Sequence, residues 1–164
     1  LSGSGIELGQ VGIRTNEFLE TNVEDVYAAG DVAEFFDTVA GKFRAAGNWT
    51  NSFLQGMRAG LNMTGSREPY RNVSAYSITN LGLQITVLGE YAPDMDTIVR
   101  IDELNDQYER IFLKDGVIAG AALINRFQDK PHLTKLIETK TPVGDYRQKL
   151  TGFAFDIREI TPLS

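Results

Sequence analysis

Thr21-Asn22-Val23-Glu24-Asp25-Val26-Tyr27-Ala28-Ala29-Gly30-Asp31 is the stretch on which the reading of this chain turns. It predicts a polar turn, a short buried strand over Val26 to Ala29, and a Gly-Asp pair just past the strand end. Open α/β sheets bind ligands beyond the carboxyl ends of their strands. A glycine at that point lets a ligand approach the backbone closely. An aspartate there can accept hydrogen bonds from ligand hydroxyls. The bland alternative is a buried strand ending in an ordinary turn.

Downstream, the spacing predicts a helix from about Asn48 to Met63. Trp49, Phe53, Met57 and Leu61 recur every four residues as one apolar stripe. Ser52, Gly56 and Gly60 make a second stripe of small residues. Glycine inside a helix costs about 0.8–1.0 kcal/mol relative to alanine. Close packing of the backbone against a sheet or ligand would compensate for it. A tightly packed core helix with no ligand is the competing reading.

The pattern of Thr, four residues, an apolar residue, an aromatic, Ala, any residue, Gly, Asp resembles the second FAD-binding motif of the pyridine nucleotide-disulfide oxidoreductase superfamily. The stretch Trp49 to Gly65, with Pro69-Tyr70 and Val73-Ser74 after it, is similar to the following helix in rubredoxin reductase-like, ferredoxin reductase-like and NADH oxidase-like flavoenzymes and in apoptosis-inducing factors. The resemblance implies that Gly30 and Asp31 hold the ribitol of FAD and that the helix start at Asn48, Trp49 and Thr50 faces the flavin pyrimidine edge. A helix N-terminus carries about half a positive charge and unpaired N–H groups, which favour the negative charge of a reduced flavin. It also implies hydride transfer from NAD(P)H to flavin and on to an acceptor such as oxygen, rubredoxin, a ferredoxin-type protein or a disulfide.

With 164 residues, a hydrophobic share of 42% and a net charge of −6, the chain suits a globular protein of one or two small domains. No basic stripe appears, which argues against nucleic acid. No apolar run reaches membrane-spanning length. There is no cysteine, so the chain has neither a disulfide framework nor a redox-active Cys pair. The single His132 follows Pro131 and reads as a surface or capping residue, and nothing in the pattern suggests a metal site or a catalytic group of the chain's own. Asn48, Asn62 and Asn72 head Asn-x-Ser/Thr triplets that read as incidental in a cytoplasmic protein. Phe35, Phe36 and Phe43 read as core, with a place beside a cofactor as the alternative.

The expected architecture is α+β. Residues 1–68 form the C-terminal remnant of an α/β FAD-binding domain, strand plus long helix. Residues 69–164 form an antiparallel α+β domain. In the second part Ala75 to Thr79, Leu81 to Leu88, Thr97 to Ile101, Tyr108 to Lys114 and Val117 to Ile124 read as strands. Asp115-Gly116 is a two-residue hairpin signal. Gly120 and the alanines around it suggest that a helix or another backbone packs closely on the return strand. A short helix follows Pro131, Tyr146 to Leu150 reads as another, and Phe153 to Ile160 alternates like a further strand. The phrase Tyr108 to Ala121 resembles the C-terminal domain of the same flavoenzymes, which implies a homodimer interface in many relatives.

No Gly-x-Gly-x-x-Gly phosphate loop occurs in the sequence. The chain is therefore expected to be a C-terminal fragment that does not retain FAD or oxidise NAD(P)H by itself. The competing reading is a stand-alone assembly or dimerisation module without flavin.

Overall fold

Three short strands organise the first part of the chain: β1 (Ile13–Thr15), β2 (Ala33–Asp37) and β3 (Lys42–Arg44). They are seen in a computed structural model that describes residue 1 and residues 3–163. β1 lies parallel to β2, and β3 antiparallel to it. The sequence pattern does not announce them. β2 reads Ala-Glu-Phe-Phe-Asp and buries Glu34 and Asp37 as well as Phe35, which erases the alternation expected of a half-buried strand. Both acids have local work. Glu34 accepts the Val11 N–H at 2.8 Å and pairs with Arg14. Asp37 accepts the N–H groups of Val39 and Ala40, which closes the turn into β3.

The expected strand at Val26 to Ala29 is not a ladder strand. It runs past residues 19–21 and makes one isolated bridge, Tyr27 to Glu20. Ala28 N–H donates to the Leu19 carbonyl and Thr21 N–H to the Val26 carbonyl. A strand needs a partner ladder, and the segment beside this one is itself a tight loop around Leu19, whose φ is +68°. The segment then enters a 3-10 turn, Gly30–Val32, that feeds β2.

The long helix α1 (Trp49–Met63) forms where expected, capped by Asn48, whose side chain accepts the Asn51 N–H at 2.8 Å. Its faces are inverted. The buried positions are Asn51, Gln55, Ala59 and Asn62. Trp49 is 80% exposed, and Phe53, Met57 and Leu61 are exposed too. Open space lies where Cβ atoms at Gly56 and Gly60 would stand, so neither glycine is explained by close packing among the described residues. The polar face is buried because the segments under it are irregular and have backbone groups to satisfy. Asn62 alone donates to the carbonyls of Phe18 and Glu68 and accepts the Glu68 N–H. That engagement also removes Asn62 as a glycan acceptor. The small core beneath α1 holds Leu19, Phe35, Ala46, Ala59 and Tyr70, with Phe35 and Tyr70 edge to face at 5.5 Å. Of the other phenylalanines, Phe43 is exposed and meets Phe36 and Arg14.

The chain divides into two units, Leu1–Ser74 and Ala75–Ser164. The second is a five-stranded antiparallel sheet of β4 (Ala75–Asn80), β5 (Leu83–Gly89), β6 (Asp96–Asp102), β7 (Gln107–Lys114) and β8 (Val117–Ile124). The order is β4-β5-β8-β7-β6, a Greek key in which β8 returns beside β5. Asp115 and Gly116 turn β7 into β8 with φ of +52° and +78°, the geometry of a type I′ turn. At Gly120 a side chain would run into the carbonyl oxygen of Glu90, so the backbone that packs closely there is the end of β5. α2 (Lys130–Glu138), with Pro131 in its first turn, buries Leu133, Leu136 and Ile137 against β5 and β8.

The tail differs from expectation. Tyr146 to Leu150 is not a helix but parts of two 3-10 turns, Gly144–Tyr146 and Lys149–Thr151. Phe153 to Ile160 is not a strand and contains a 3-10 turn, Ile157–Glu159, opened by an Asp156 capping box. The cause is a buried guanidinium. Arg100 donates to the carbonyls of Gly152 and Phe155, which uses the tail backbone for side-chain bonds instead of a ladder. It faces Glu109 across the β6–β7 ladder at 2.7 Å, with both side chains fully buried. Phe153 lies under Arg100 and Arg126 at 4.4 and 4.7 Å. Burial is the first cause that raises the Glu109 carboxyl above its ordinary range, partly offset by Arg100.

Candidate functional site

Gly30 and Asp31 sit in the 3-10 turn that leaves the Tyr27 segment, docked on one face of α1. Gly30 has φ +77°, and a side chain there would press on Ser52 at 3.3 Å, so two independent constraints call for glycine. Its N–H donates to Gln55 Oε1 at 2.7 Å. Ala29, the residue that should cap this turn, makes no side-chain cap. The cap comes instead from 25 residues downstream. Asp31 is exposed, and its Oδ1 accepts the Ser52 hydroxyl at 2.8 Å. The Cα of Gly47 faces the same carboxyl: a Cβ there would lie 3.9 Å from it.

The start of α1 is fixed from below and open above. Asn51 donates to the Ala46 carbonyl at 2.9 Å and accepts the Tyr70 hydroxyl at 2.7 Å. Asn48 donates to the Ser74 hydroxyl at 3.1 Å. These bonds pin residues 46–48 so that the chain enters the helix in one direction. Burial pushes the Tyr70 phenol up to about 12. Trp49 and Thr50 are exposed, and Trp49 stacks on Phe53 at 5.7 Å. The first N–H groups of a helix have no intrahelical partner. The Asn48 side chain serves the third of them, Asn51, which leaves those of Trp49 and Thr50 beyond its cap bond.

The five residues singled out in the sequence, Gly30, Asp31, Asn48, Trp49 and Thr50, are thus brought to one place, joined through Ser52. Sequence reasoning missed Ser52 and Gln55 as partners of the Gly-Asp turn, and Asn51 and Tyr70 as supports. A signal was there: Asn48, Asn51, Ser52, Gln55 and Asn62 form a polar stripe at helical spacing. His132 lies elsewhere, in the second unit, with Nε2 2.9 Å from the Ile160 carbonyl, where it ties the tail to α2. Among the described residues no cluster of metal-ligating side chains occurs. No described helix is long and apolar enough to cross a membrane.

Residues 77–141 match the family of rubredoxin NAD+ reductase C-terminal domains. The NADH-rubredoxin oxidoreductase of Clostridium acetobutylicum is 31% identical over 129 residues, 78% of this chain. The chain is homologous to the C-terminal part of the pyridine nucleotide-disulfide oxidoreductases. It spans 32% of the Clostridium relative's length. The solved NADH:rubredoxin oxidoreductase from that organism superposes with a TM-score of 0.61 at 30% identity, over 86% of this chain and 36% of that one. Putidaredoxin reductase, solved in its covalent complex with putidaredoxin, superposes with a TM-score of 0.84 over 97% of this chain and 37% of its own. At 18% identity that likeness speaks for the fold alone. It does so for both units, the short-stranded first one and the antiparallel second one.

Proposed function

We propose that this chain is the C-terminal part of an FAD-dependent oxidoreductase that takes electrons from NAD(P)H and delivers them to a rubredoxin- or ferredoxin-type acceptor. The observation that carries the reading is the Gly30–Asp31 turn docked through Ser52 on the first half of a helix whose N-terminal turn is exposed. Its chemistry suits a flavin. Asp31 offers an acceptor to ribitol hydroxyls, Gly30 leaves room for the chain that carries them, and Asn48, Trp49 and Thr50 present a helix N-terminus to the pyrimidine edge. FAD held there would supply hydride acceptance from nicotinamide and onward electron release, and the residues here would bind and orient it. The relatives, an NADH-rubredoxin oxidoreductase among them, favour the acceptor class. The setting would be the cytoplasm.

The test is the full-length flavoprotein with Asp31→Ala. A charge-assisted hydrogen bond is worth roughly 1.5–3 kcal/mol, so FAD should bind about ten- to a hundredfold more weakly. Glu24→Ala, exposed and outside the turn, is the control and should bind FAD like the parent. Equal flavin loss from both would remove Asp31 from the site.

A second reading has its own observation. The exposed stripe of Trp49, Phe53, Met57 and Leu61 gives the chain a surface for association, as an assembly or homodimerisation module.

A further inference from the structure

Gln55 is fully buried, sits in the second turn of a helix and spends its carbonyl oxygen on a glycine N–H 25 residues upstream. We propose that Gln55 and Ser52 are positioning residues that set the Gly30–Asp31 turn for a polyhydroxyl ligand chain. The inference rests on the flavin reading of Asp31. Ser52 and Gln55 are three residues apart on α1 and so share a face. Together they hold two successive residues of the turn by different atoms: Gln55 Oε1 accepts the Gly30 N–H at 2.7 Å, and the Ser52 hydroxyl donates to Asp31 Oδ1 at 2.8 Å. Two points of attachment fix both the height and the rotation of the turn on the helix.

Each bond has a chemical consequence. A carboxylate accepts only, so Ser52 must donate, and its proton occupies Oδ1 on the helix side. The remaining acceptor capacity of Asp31 is left for a ligand hydroxyl. At Gly30, Ala29 has no side chain able to cap the turn. The Gln55 amide holds the Gly30 N–H from outside. Gln55 Nε2 is buried without a partner among the described residues, so the side chain is not kept there by a full set of its own hydrogen bonds. Its unfavourable placement is consistent with selection for what Oε1 does.

The experiment measures FAD dissociation constants of the full-length apoprotein, by flavin fluorescence, for FAD and for FAD analogues that lack single ribitol hydroxyls. The parent should lose about tenfold or more affinity for the analogue whose missing hydroxyl meets Asp31, and Asp31→Ala should abolish that discrimination. Gln55→Leu keeps the volume and removes the acceptor. It should weaken FAD binding roughly ten- to a hundredfold and bring the analogue and FAD to equal affinity. A variant that loses affinity but keeps the parent's discrimination overturns the positioning role while the flavin reading stands. Loss of that reading looks different: parent and Asp31→Ala bind every analogue alike. Should Gln55→Leu not fold, Ser52→Ala carries the test, since Ser52 is only half-buried. It should reduce the discrimination, and full retention overturns the proposal.

Discussion

Two buried polar side chains make stability fall as pH rises, in two different windows. The Tyr70 phenol is raised to about 12 from an ordinary 10.0, burial being the first cause. A raised value in the folded state means that the stability it represents is intact below pH 10 and is lost as pH climbs toward 12. Urea melts between pH 8 and 12 should show the first unit weakening through that window. Tyr70→Phe should flatten the alkaline decline and cost about 0.5–1.5 kcal/mol at neutral pH, through the hydrogen bond to Asn51. Glu109 is also raised, so its sign is the same and its window is lower. Stability is full below the ordinary carboxyl value and falls as pH rises through the raised one. Arg100→Met should cost about 3–5 kcal/mol, because it strands a fully buried carboxylate. Adding Glu109→Leu should recover much of that loss. A double variant as unstable as the single would show that the tail contacts of Arg100, not the ion pair, dominate. Asp37 has a structural part of a different kind. It ends β2 and caps a turn, so Asp37→Ala reports on folding rather than on flavin.

Helix α1 shows how far an element can be read before its surroundings are known. Its limits and its four-residue apolar period are local properties, and both were legible. Which face turns inward was not. An apolar stripe normally finds the core, yet here the loops beneath the helix present unpaired backbone groups, and amide side chains answer them. The same limit hid β1 and β2: a parallel pair three residues long has no pattern of its own. The hairpin of β7 and β8 was plain because Asp115-Gly116 states its turn type outright. The tail from Phe153 alternated and still formed no strand, since Arg100, more than 50 residues away, takes the carbonyls of Gly152 and Phe155. Gly30 and Asp31 stood out in the sequence as a candidate site through their motif, while Ser52 and Gln55 became visible only as contacts. The open space at Gly56 and Gly60 yields a two-sided test. Alanine at both should raise the stability of the chain alone by about 0.8–1.0 kcal/mol per site, from helix propensity. In a full-length protein whose other parts press on this face, the same change should be destabilising. Paired denaturation curves of the two proteins distinguish these outcomes, and a gain in both would mean that nothing sits close there.

At the scale of the molecule, the apolar stripe of α1 and the exposed Tyr76, Ile78 and Ile101 of the second unit bear on association. Purified by itself, the chain should be colourless, because it holds no phosphate loop for the adenylate half of FAD. An absorbance scan checks this, and stoichiometric flavin would overturn it. Light scattering on the chain and on the full-length protein tests the homodimer. A monomeric full-length protein would remove dimerisation from the proposed role.

The order of the second sheet carries one more consequence. β5 and β6 are consecutive in the chain, but β8 and β7 lie between them, so residues 90–95 cross about 14 Å at the sheet's end, three strand spacings. Pro93 and Asp94 form the exposed tip of that crossing. On one side of it lies the β4–β5 hairpin; on the other, a local meander of β6, β7 and β8. The β5–β8 ladder and α2 join the two by non-covalent contacts alone. A chain severed at Pro93-Asp94 should therefore yield two polypeptides that find each other when co-expressed and copurify one to one. Each half carries its own turns.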